Sequence, residues 1–307
     1  MADEATATSI LPTISFIGLG NMGVPMAAKL AAAGYPLLVA DARPAAVEQF
    51  VATHPSARPA SVTMMGAASP FVITMLPNIG VVREIMLGGS GLASFMSAGA
   101  MLIDMSSSSP SGTIALGTEL GQRGIDMVDA PVSGGVLRAA SGELAIMAGG
   151  ETAHVDRCEP ILKAMGKTIF RTGKLGTGQA MKALNNLCSA AGLLIAAEAV
   201  RVGQRFGLNP ELMVDVLNVS TGQNNSTLRK FKPFVLPKKY EAGFGLDLMV
   251  KDISAALELA SAEGLNTPLT KCCVEYWKEA QKALGPGADH TAIDHWLEII
   301  NSGADAG

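Results

Sequence analysis

The chain has 307 residues, of which 49% are hydrophobic and 16% charged, and its 23 basic and 27 acidic side chains give a net charge of −4. This length corresponds to about two domains of roughly 100–200 residues each, and the apolar share excludes a disordered chain. The negative charge argues against nucleic-acid binding, which relies on basic side chains that neutralise phosphates. So few charged residues also indicate surface that is buried between subunits.

The cysteines and the N-terminus give information on the compartment. The four cysteines are Cys158, Cys188, Cys272 and Cys273. Their spacing fits neither a disulfide framework nor a metal site, so we predict reduced thiols, a cytoplasmic protein and no metal.

Residues 1–12 lack the positive region of a signal peptide and are predicted to form a flexible tail. The most apolar run, 187–197, is shorter than the about 20 residues of a membrane span, so we expect no membrane partner.

Short apolar runs alternate with segments of helical composition through the first half of the chain. The strand-like runs cover residues 13–19, 37–40, 71–76, 101–103, 127–128 and 144–148. This alternation predicts βαβ units, with a mainly parallel sheet that helices cover on both faces.

The second half of the chain has a helical pattern instead. Predicted helices cover residues 180–206, 210–220, 246–263 and 270–284. We therefore predict an α/β fold, with a dinucleotide-binding domain over 13–177 and an all-α domain over 178–307. The boundary lies in the glycine-rich link at 173–178. The long apolar helix that opens the second domain would form a natural interface in a homodimer or homotetramer.

A glycine-rich motif follows the first strand-like run and opens a helix. It consists of Gly18, Leu19, Gly20, Asn21, Met22 and Gly23. In a G-x-G-x-x-G motif the first glycine allows a tight turn, the second lets a pyrophosphate approach the backbone, and the third lets the helix pack closely on the strand. The helix N-terminus then supplies amide groups for the phosphates. Ordinary turn glycines, or the similar turn of a methyltransferase, are the alternatives.

The end of the second predicted strand bears on which dinucleotide binds. Asp41 lies 21 residues after Gly20, where an acidic side chain hydrogen-bonds the adenosine ribose and repels a 2′-phosphate. This favours NAD over NADP. Arg43 complicates the prediction, because an arginine there pairs with the 2′-phosphate or stacks on adenine, unless it is a solvated loop residue.

Two further segments carry groups that suit a carboxylate substrate. Ser133, Gly134 and Gly135 offer a hydroxyl and open backbone amides, a nest that suits an anion, although a plain turn has the same composition. Lys182 and Asn186 share one helix face, with Asn185 alongside. A lysine at the start of an apolar helix loses its charge readily when it is buried and then acts as a general acid and base. The alternative is a surface lysine beside an amide that caps a turn.

Six segments in order resemble the β-hydroxyacid dehydrogenase family. They read GLGNMGVPMA at 18–27, TMLPN at 74–78, DMSS at 104–107, DAPVSGG at 129–135, GKLGTGQAMKALNN at 173–186 and KD at 251–252. The resemblance implies a Rossmann-like N-terminal domain, an all-helical C-terminal domain and an active site in the cleft between them. It also implies NAD(P)-dependent hydride transfer to or from a small β-hydroxy acid such as 3-hydroxyisobutyrate. Tartronate semialdehyde reductase and L-threonate or L-serine dehydrogenase activities are alternatives within the family, and a non-catalytic dinucleotide-binding module is an alternative outside it.

The resemblance also assigns roles to residues. It makes Lys182 the catalytic lysine and adds Asn186 to the substrate-binding set of Ser133, Gly134 and Gly135. Residues along the nicotinamide half of the cofactor would be Leu76, Pro77, Ser107 and Lys251, with Asp252 as the partner of Lys251 and Asn185 in support. Adjacent charges such as Lys251 and Asp252 more often form a surface ion pair.

Two of these positions depart from the family. Ser107 is commonly threonine there, and serine keeps the hydroxyl. Arg138 stands where many members have a small residue, and it either reaches an acidic substrate or points to solvent. Imine reductases share this scaffold but typically replace the lysine, so Lys182 favours alcohol–carbonyl chemistry.

Overall fold

The structure is a computed structural model that describes residues 11–302, so residues 1–10 of the predicted tail lie outside the described part. The chain divides into two compact units, the first ending at Gln179 and the second beginning at Ala180. The sequence-based boundary was set after residue 177. Each unit is described by itself below.

The first unit is built on one sheet of nine strands in its described part. They are β1 (Ile14–Ile17), β2 (Leu37–Ala40), β3 (Ala57–Pro59), β4 (Phe71–Thr74), β5 (Met101–Asp104), β6 (Asp126–Asp129), β7 (Val132–Ser133), β8 (Leu144–Gly149) and β9 (Gly166–Gly173). The order is β3-β2-β1-β4-β5-β6-β8-β7, and β9 also pairs with β8. Strands β1 to β6 are parallel, β8 is antiparallel to both β6 and β7, and β9 is parallel to β8. The predicted α/β class with a mainly parallel sheet is confirmed.

Seven helices accompany this sheet in the described part of the unit. They are α1 (Gly23–Ala32), α2 (Pro44–Thr53), α3 (Val62–Ala68), α4 (Ile79–Leu87), α5 (Pro110–Gly121), α6 (Gly135–Ser141) and α7 (Thr152–Met165). Local sequence explains where several of them begin. Pro44 and Pro110 lie in the first turns of α2 and α5, where the missing amide hydrogen costs no helical bond. The Asn78 side chain accepts a hydrogen bond from the Val81 amide and so caps α4.

Apolar side chains fill both sides of the sheet. Successive residues of β1 alternate between two buried clusters: Phe16 belongs to the cluster on one face and Ile17 to that on the other. The same alternation places Ile73 and Val72 of β4 on opposite faces. A parallel strand covered on both faces favours apolar residues at nearly every position. This is why these strands are visible in the sequence as nearly continuous apolar runs, with Ser15 and Thr74 as buried polar exceptions.

The second unit is helical throughout its described residues, apart from one isolated bridge between Gly245 and Asp289. Its helices are α8 (Thr177–Phe206, which begins in the first unit), α9 (Pro210–Asn218), α10 (Asn225–Arg229), α11 (Leu246–Ala262), α12 (Pro268–Leu284) and α13 (Ile293–Ser302). Buried side chains from several of them, including Leu193, Ile253 and Trp277, form one apolar core. The predicted all-α second part is therefore confirmed.

Helix α8 is long and apolar enough to cross a membrane by length and composition alone. The core helix of a globular protein meets the same criteria, and 44% of the most apolar window of α8 is buried within the protein. Side chains on one of its faces, such as Leu193 and Ala197, are completely buried. Others, such as Val202 and Phe206, are exposed.

Candidate active site

The glycine motif forms the turn that joins β1 to α1. Gly18 has φ of +103°, in the region that favours glycine. A Cβ on Gly18 would collide with the Met75 carbonyl oxygen, and a Cβ on Gly23 would collide with the Gly18 carbonyl oxygen. A Cβ on Gly20, in contrast, would have no atom within 4 Å. The turn is therefore closely packed at two glycines and open at the third, as a backbone that approaches a ligand requires.

Helix α1 begins at this turn without a side-chain cap. Met22 at its N-cap accepts no capping hydrogen bond through its side chain, and the first turn contains no acidic residue. Within this turn the Val24 amide donates to the Gly20 carbonyl at 3.0 Å, so the amides before Val24 are the ones that a ligand could meet. The helix dipole adds positive potential there. This turn could hold the pyrophosphate of a dinucleotide, and Leu19 and Asn21 form the backbone between its glycines.

Asp41, at the end of β2, is bound directly to the glycine turn. One carboxylate oxygen accepts the Leu19 amide at 2.7 Å, and the other accepts the Arg43 amide at 2.8 Å and the Arg43 guanidinium at 3.2 Å. Arg43 also donates to the Leu19 carbonyl at 3.1 Å. Burial by itself would raise the pKa of Asp41, but the hydrogen bonds from Arg43 and Leu19 outweigh it and lower the pKa. The structure thus brings an ionised Asp41 and Arg43 to the glycine turn.

The loops after β4 and β5 carry the next three predicted residues, Leu76, Pro77 and Ser107. The Leu76 amide donates to the Ser106 hydroxyl at 2.9 Å. Asp104, at the end of β5, accepts hydrogen bonds from the Thr74 hydroxyl at 2.9 Å and the Ser106 amide at 3.1 Å. These bonds join the two loops that carry the predicted nicotinamide-side residues. Complete burial raises the pKa of Asp104 despite these donors.

A second buried carboxyl, Asp129, organises the end of β6. Its two oxygens accept the backbone amides of Gly176 and Gln179, both at 2.7 Å. Burial outweighs these donors, and the nearby Asp104 adds to its effect, so the pKa of Asp129 rises to about 7. Asp129 thus joins the start of the DAPVSGG segment to the first turn of α8.

The same segment continues into the predicted carboxylate nest. Gly134 has φ of +136° and stands at the N-cap of α6, and Gly135 begins that helix. No side chain caps α6, so the amides of its first turn, next to Ser133, could bind an anion. Arg138, one turn into α6, is exposed, and its aliphatic part packs over Gly134.

In the second unit, α8 carries the predicted lysine and amides. The Asn186 side chain is buried, donates to the Asp252 carboxylate at 2.6 Å and accepts from the Asn185 side-chain amide at 3.1 Å. Lys251 lies 3.5 Å from the other Asp252 oxygen. Asp252 is only 3% exposed, so the alternative of a surface ion pair does not hold for its carboxylate.

Lys182 lies one turn before Asn186. Burial is the main cause that lowers the pKa of its amine, and Lys251 lowers it further, whereas Asp252 acts in the opposite direction. Among the described residues of its own unit, the side-chain amine of Lys182 makes no hydrogen bond, while its backbone belongs to α8. The amine nitrogen is therefore available to a ligand, as a general acid or base requires.

Three positioning residues were not predicted from the sequence. Asp104 and Asp129 occur in quoted segments, but they received no role. Gln179 bridges the same region, since its side chain accepts the Ser108 amide at 2.9 Å and donates to the Ser106 carbonyl at 2.8 Å. An aspartate at the end of an apolar strand, before small polar residues, is the signal that marks the first two. Residues 11–302 contain no group of three metal-ligating side chains suited to hold an ion.

Two family models match consecutive parts of the chain. The family model described as the NAD binding domain of 6-phosphogluconate dehydrogenase matches residues 13–173. The family model described as NAD-binding of NADP-dependent 3-hydroxyisobutyrate dehydrogenase matches residues 176–297. The two models together cover nearly all of the described chain.

Individual relatives match along almost their whole length. The chain is 37% identical to 2-(hydroxymethyl)glutarate dehydrogenase of Eubacterium barkeri over 296 residues, covering 96% of this chain and 98% of the relative. It is 35% identical to the NAD-dependent L-serine dehydrogenase of Pseudomonas aeruginosa, over 86% and 91% of the two chains. The solved structure of Mycobacterium tuberculosis 3-hydroxyisobutyrate dehydrogenase with L-serine has a TM-score of 0.85 and 31% identity, covering 94% and 99%.

These matches confirm the predicted family, the predicted class of enzyme and the predicted cofactor. The chain is an NAD(P)-dependent oxidoreductase that acts on the CH–OH group of small hydroxy acids, and it belongs to the β-hydroxyacid dehydrogenase family.

Proposed function

We propose that Lys182 is the general acid and base of a dehydrogenase for 3-hydroxyisobutyrate-like β-hydroxy acids. The observation that carries this proposal is the arrangement on α8. An amine whose pKa is lowered by burial lies one turn from the buried Asn186, which is itself held by the Asp252 carboxylate. A lysine of ordinary pKa is charged near neutral pH, and a lowered pKa increases the neutral fraction that can accept a proton.

The dinucleotide would be held by the first unit. The amides from Gly20 to Gly23 would bind the pyrophosphate, since those of Gly18 and Leu19 already donate to Ala40 and Asp41. Asp41 would accept hydrogen bonds from the adenosine ribose. Arg43 would line the adenine side, and Leu76, Pro77, Ser107 and Lys251 would line the nicotinamide side. The ionised Asp41 carboxylate supports NAD as the preferred cofactor, because it repels a 2′-phosphate.

The substrate carboxylate would bind to the nest of Ser133, Gly134 and Gly135. In oxidation, neutral Lys182 takes the hydroxyl proton. In reduction, its ammonium returns that proton to the oxygen. The chemistry that bound NAD supplies is to accept the hydride from the carbinol carbon and, as NADH, to give it back. Asn186 and Asp252 orient the α8 face around Lys182, and Asn185 fixes the Asn186 amide.

Replacement of Lys182 by alanine tests the proposal. General acid–base catalysis is typically worth about 10²–10⁴-fold, so we expect Lys182→Ala to lower kcat by that factor while the Kd for NADH, measured by fluorescence, stays within about threefold. Lys174→Ala is the matched control, because Lys174 lies outside the proposed machinery. Wild-type turnover by a folded Lys182→Ala enzyme would refute the role of this lysine.

A substrate panel tests the specificity in parallel. Absorbance of NADH would be followed with 3-hydroxyisobutyrate, L-serine, L-threonate and 2-(hydroxymethyl)glutarate, and with tartronate semialdehyde in the reductive direction. We expect a kcat/KM for 3-hydroxyisobutyrate-like acids at least tenfold above that for L-threonate, whose additional hydroxyls bring polar groups without partners into the site.

We further propose that the enzyme is a homodimer or homotetramer that binds neither nucleic acid nor membrane. Ile195, Val202 and Phe206 are 61%, 70% and 86% exposed on one face of α8. Spacings of seven and four residues form a continuous apolar stripe on a helix. A second copy of the chain would cover this stripe.

We propose that the enzyme is cytoplasmic. The support is that all four cysteines are free thiols, a state that reducing compartments maintain. Fractionation of the source cells, with a thiol-labelling step before lysis, would test the location. Recovery of the enzyme in a membrane or organelle fraction would contradict it.

A further inference from the structure

A second lysine lies on the face of α8 that carries Lys182. Ser189 is seven residues after Lys182 and three after Asn186, so the three side chains occupy one helix face. The Lys230 amine donates a hydrogen bond to the Ser189 hydroxyl at 3.2 Å. At a rise of about 1.5 Å per residue, the Lys182 and Ser189 backbones are about 10 Å apart along the helix.

The segment that carries Lys230 is fixed to α8. The Asn224 side chain donates to the Gly192 carbonyl at 3.0 Å and also caps α10. The Lys230 amide donates to the Ser226 carbonyl at 2.8 Å, and its carbonyl accepts from the Phe234 amide at 3.0 Å. The backbone around Lys230 is thus held on both sides, and the placement of its amine beside Ser189 follows from the fold.

Lys230 lacks the partner that a partly buried cation normally has. Among residues 11–302, its amine bonds to a neutral hydroxyl and has no carboxylate within 4 Å. Burial is the main influence on the Lys230 amine and outweighs the opposing charge of Asp289, so the pKa of Lys230 falls to about 8. The Asp289 carboxylate is occupied by other donors, since it accepts the amides of Gly243, Phe244 and Thr291.

We infer that Lys230 binds a second carboxylate of the substrate, and that this enzyme acts on dicarboxylic hydroxy acids. The inference rests on the proposed function, in which Lys182 acts at the substrate hydroxyl. A cation that lies farther along the same helix face then meets the end of the substrate remote from the reacting carbon. The backbones of Lys182 and of Ser189, which holds the Lys230 amine, are about 10 Å apart along the helix. A backbone of four to five carbons with a hydrogen bond at each end can span this distance, and Lys230 forms a charge-assisted bond with the distal carboxylate.

A pair of substrates that differ in this carboxylate tests the inference. For each variant, the kcat/KM for the dicarboxylate 2-(hydroxymethyl)glutarate divided by that for the monocarboxylate 3-hydroxyisobutyrate gives a specificity ratio. A hydrogen bond to a charged group is worth about 1.5–3 kcal/mol, so Lys230→Met lowers this ratio about 10–100-fold, mainly through KM for the dicarboxylate. Lys230→Arg, which keeps the charge, retains most of the ratio.

Lys232→Met is the matched control. Lys232 is two residues after Lys230 in the sequence, and it forms a surface ion pair with Asp215. This variant leaves the ratio unchanged. An unchanged ratio in folded Lys230→Met, or a ratio that falls only in Arg138→Met, overturns the inference while the hydroxy-acid activity stands. If the wild-type enzyme turns over neither acid, the proposed function itself fails. Thermal melting and NADH binding confirm that each variant is folded.

Discussion

The charges around Lys182 act on its amine in opposite directions. Burial and Lys251 lower its pKa, and Asp252 raises it. Oxidation uses the neutral amine, which is populated above this pKa, so a lowered pKa extends oxidation to lower pH. Reduction uses the ammonium and is lost as pH rises through the same value. The acidic limb of the pH profile for oxidation therefore reports the balance of these influences.

Two substitutions should move that limb in opposite directions. Asp252→Asn removes a negative charge, so the limb of kcat/KM for oxidation should shift to lower pH. Lys251→Met removes a positive charge, so it should shift the limb to higher pH. Initial rates of NADH formation across a pH series measure both shifts. Movement of both limbs in the same direction would mean that the limb does not belong to Lys182.

Asp41 should determine the choice between the two dinucleotides. Asp41→Asn keeps an oxygen that can accept the Leu19 amide, but it removes the charge that repels a 2′-phosphate. We expect the kcat/KM preference for NAD over NADP to fall about tenfold, which corresponds to about 1.4 kcal/mol. Measurements with both cofactors on both proteins provide the test. A wild-type preference for NADP, or a preference unchanged in Asp41→Asn, would contradict the role given to this carboxylate.

At the scale of elements, two glycines of the turn from β1 to α1 are expected to have different roles, Gly20 in cofactor binding and Gly23 in stability. Gly20 faces open space, so Gly20→Ala should change the free energy of unfolding by at most about 0.5 kcal/mol. The added methyl group occupies the pyrophosphate position, and we expect the Kd for NADH to rise at least tenfold, or about 1.4 kcal/mol. Fluorescence titration and denaturant unfolding measure the two quantities.

Gly23→Ala is the counterpart of this change. Its methyl group would collide with the Gly18 carbonyl oxygen, and overpacking of this kind typically costs about 1–3 kcal/mol. We therefore expect a clear loss of stability in Gly23→Ala and none in Gly20→Ala. If the two variants lost stability equally, the turn would not be open at Gly20.

The elements also show which parts of the fold are readable from sequence. Strands such as β1 and β4 are buried on both faces and appear as apolar runs. Strand β9 was missed because it lies at an edge and is mostly exposed, with Lys167 and Arg171 among its exposed residues, so it has no continuous apolar run. The three-residue β3 is too short to form a pattern. Asp104 and Asp129 are visible in the sequence as aspartates at strand ends, but groups that they bind come from other segments. Asp129 accepts the amides of Gly176 and Gln179, and Asp104 accepts the Thr74 hydroxyl, so these roles depend on the fold.

Lys230 shows the same limit for the candidate site. Its sequence neighbours are basic and aromatic, and nothing in their pattern connects it with Ser189, 41 residues earlier. The glycine motif, Asp41 and Lys182 were predicted because their chemistry is contained in short segments. Only the structure shows that Lys230 lies beside Ser189, because the segment around α10 is hydrogen-bonded to α8.

At the scale of the whole molecule, the apolar stripe on α8 predicts self-association. Light scattering after size exclusion, without detergent, should give a mass that is a multiple of 31.6 kDa. Val202→Asp combined with Phe206→Asp should shift the enzyme toward the monomer, because each substitution places a charge in the proposed interface. Gln204→Asp adds a charge to another face of α8 and should leave the mass unchanged. A monomeric wild-type enzyme would exclude the proposed assembly.

The edges of the sheet limit how copies of this chain can join. An open edge strand offers unpaired backbone groups to any other strand, and proteins prevent this with short strands, proline and charged side chains. Here β3 has three residues and ends at Pro59, while β9 carries Arg171, which forms ion pairs with Asp156 and Glu159. Both devices oppose growth of the sheet from one molecule into the next. Because strand pairing between molecules is disfavoured at both edges, copies of the chain would associate through helical surfaces without forming an extended sheet.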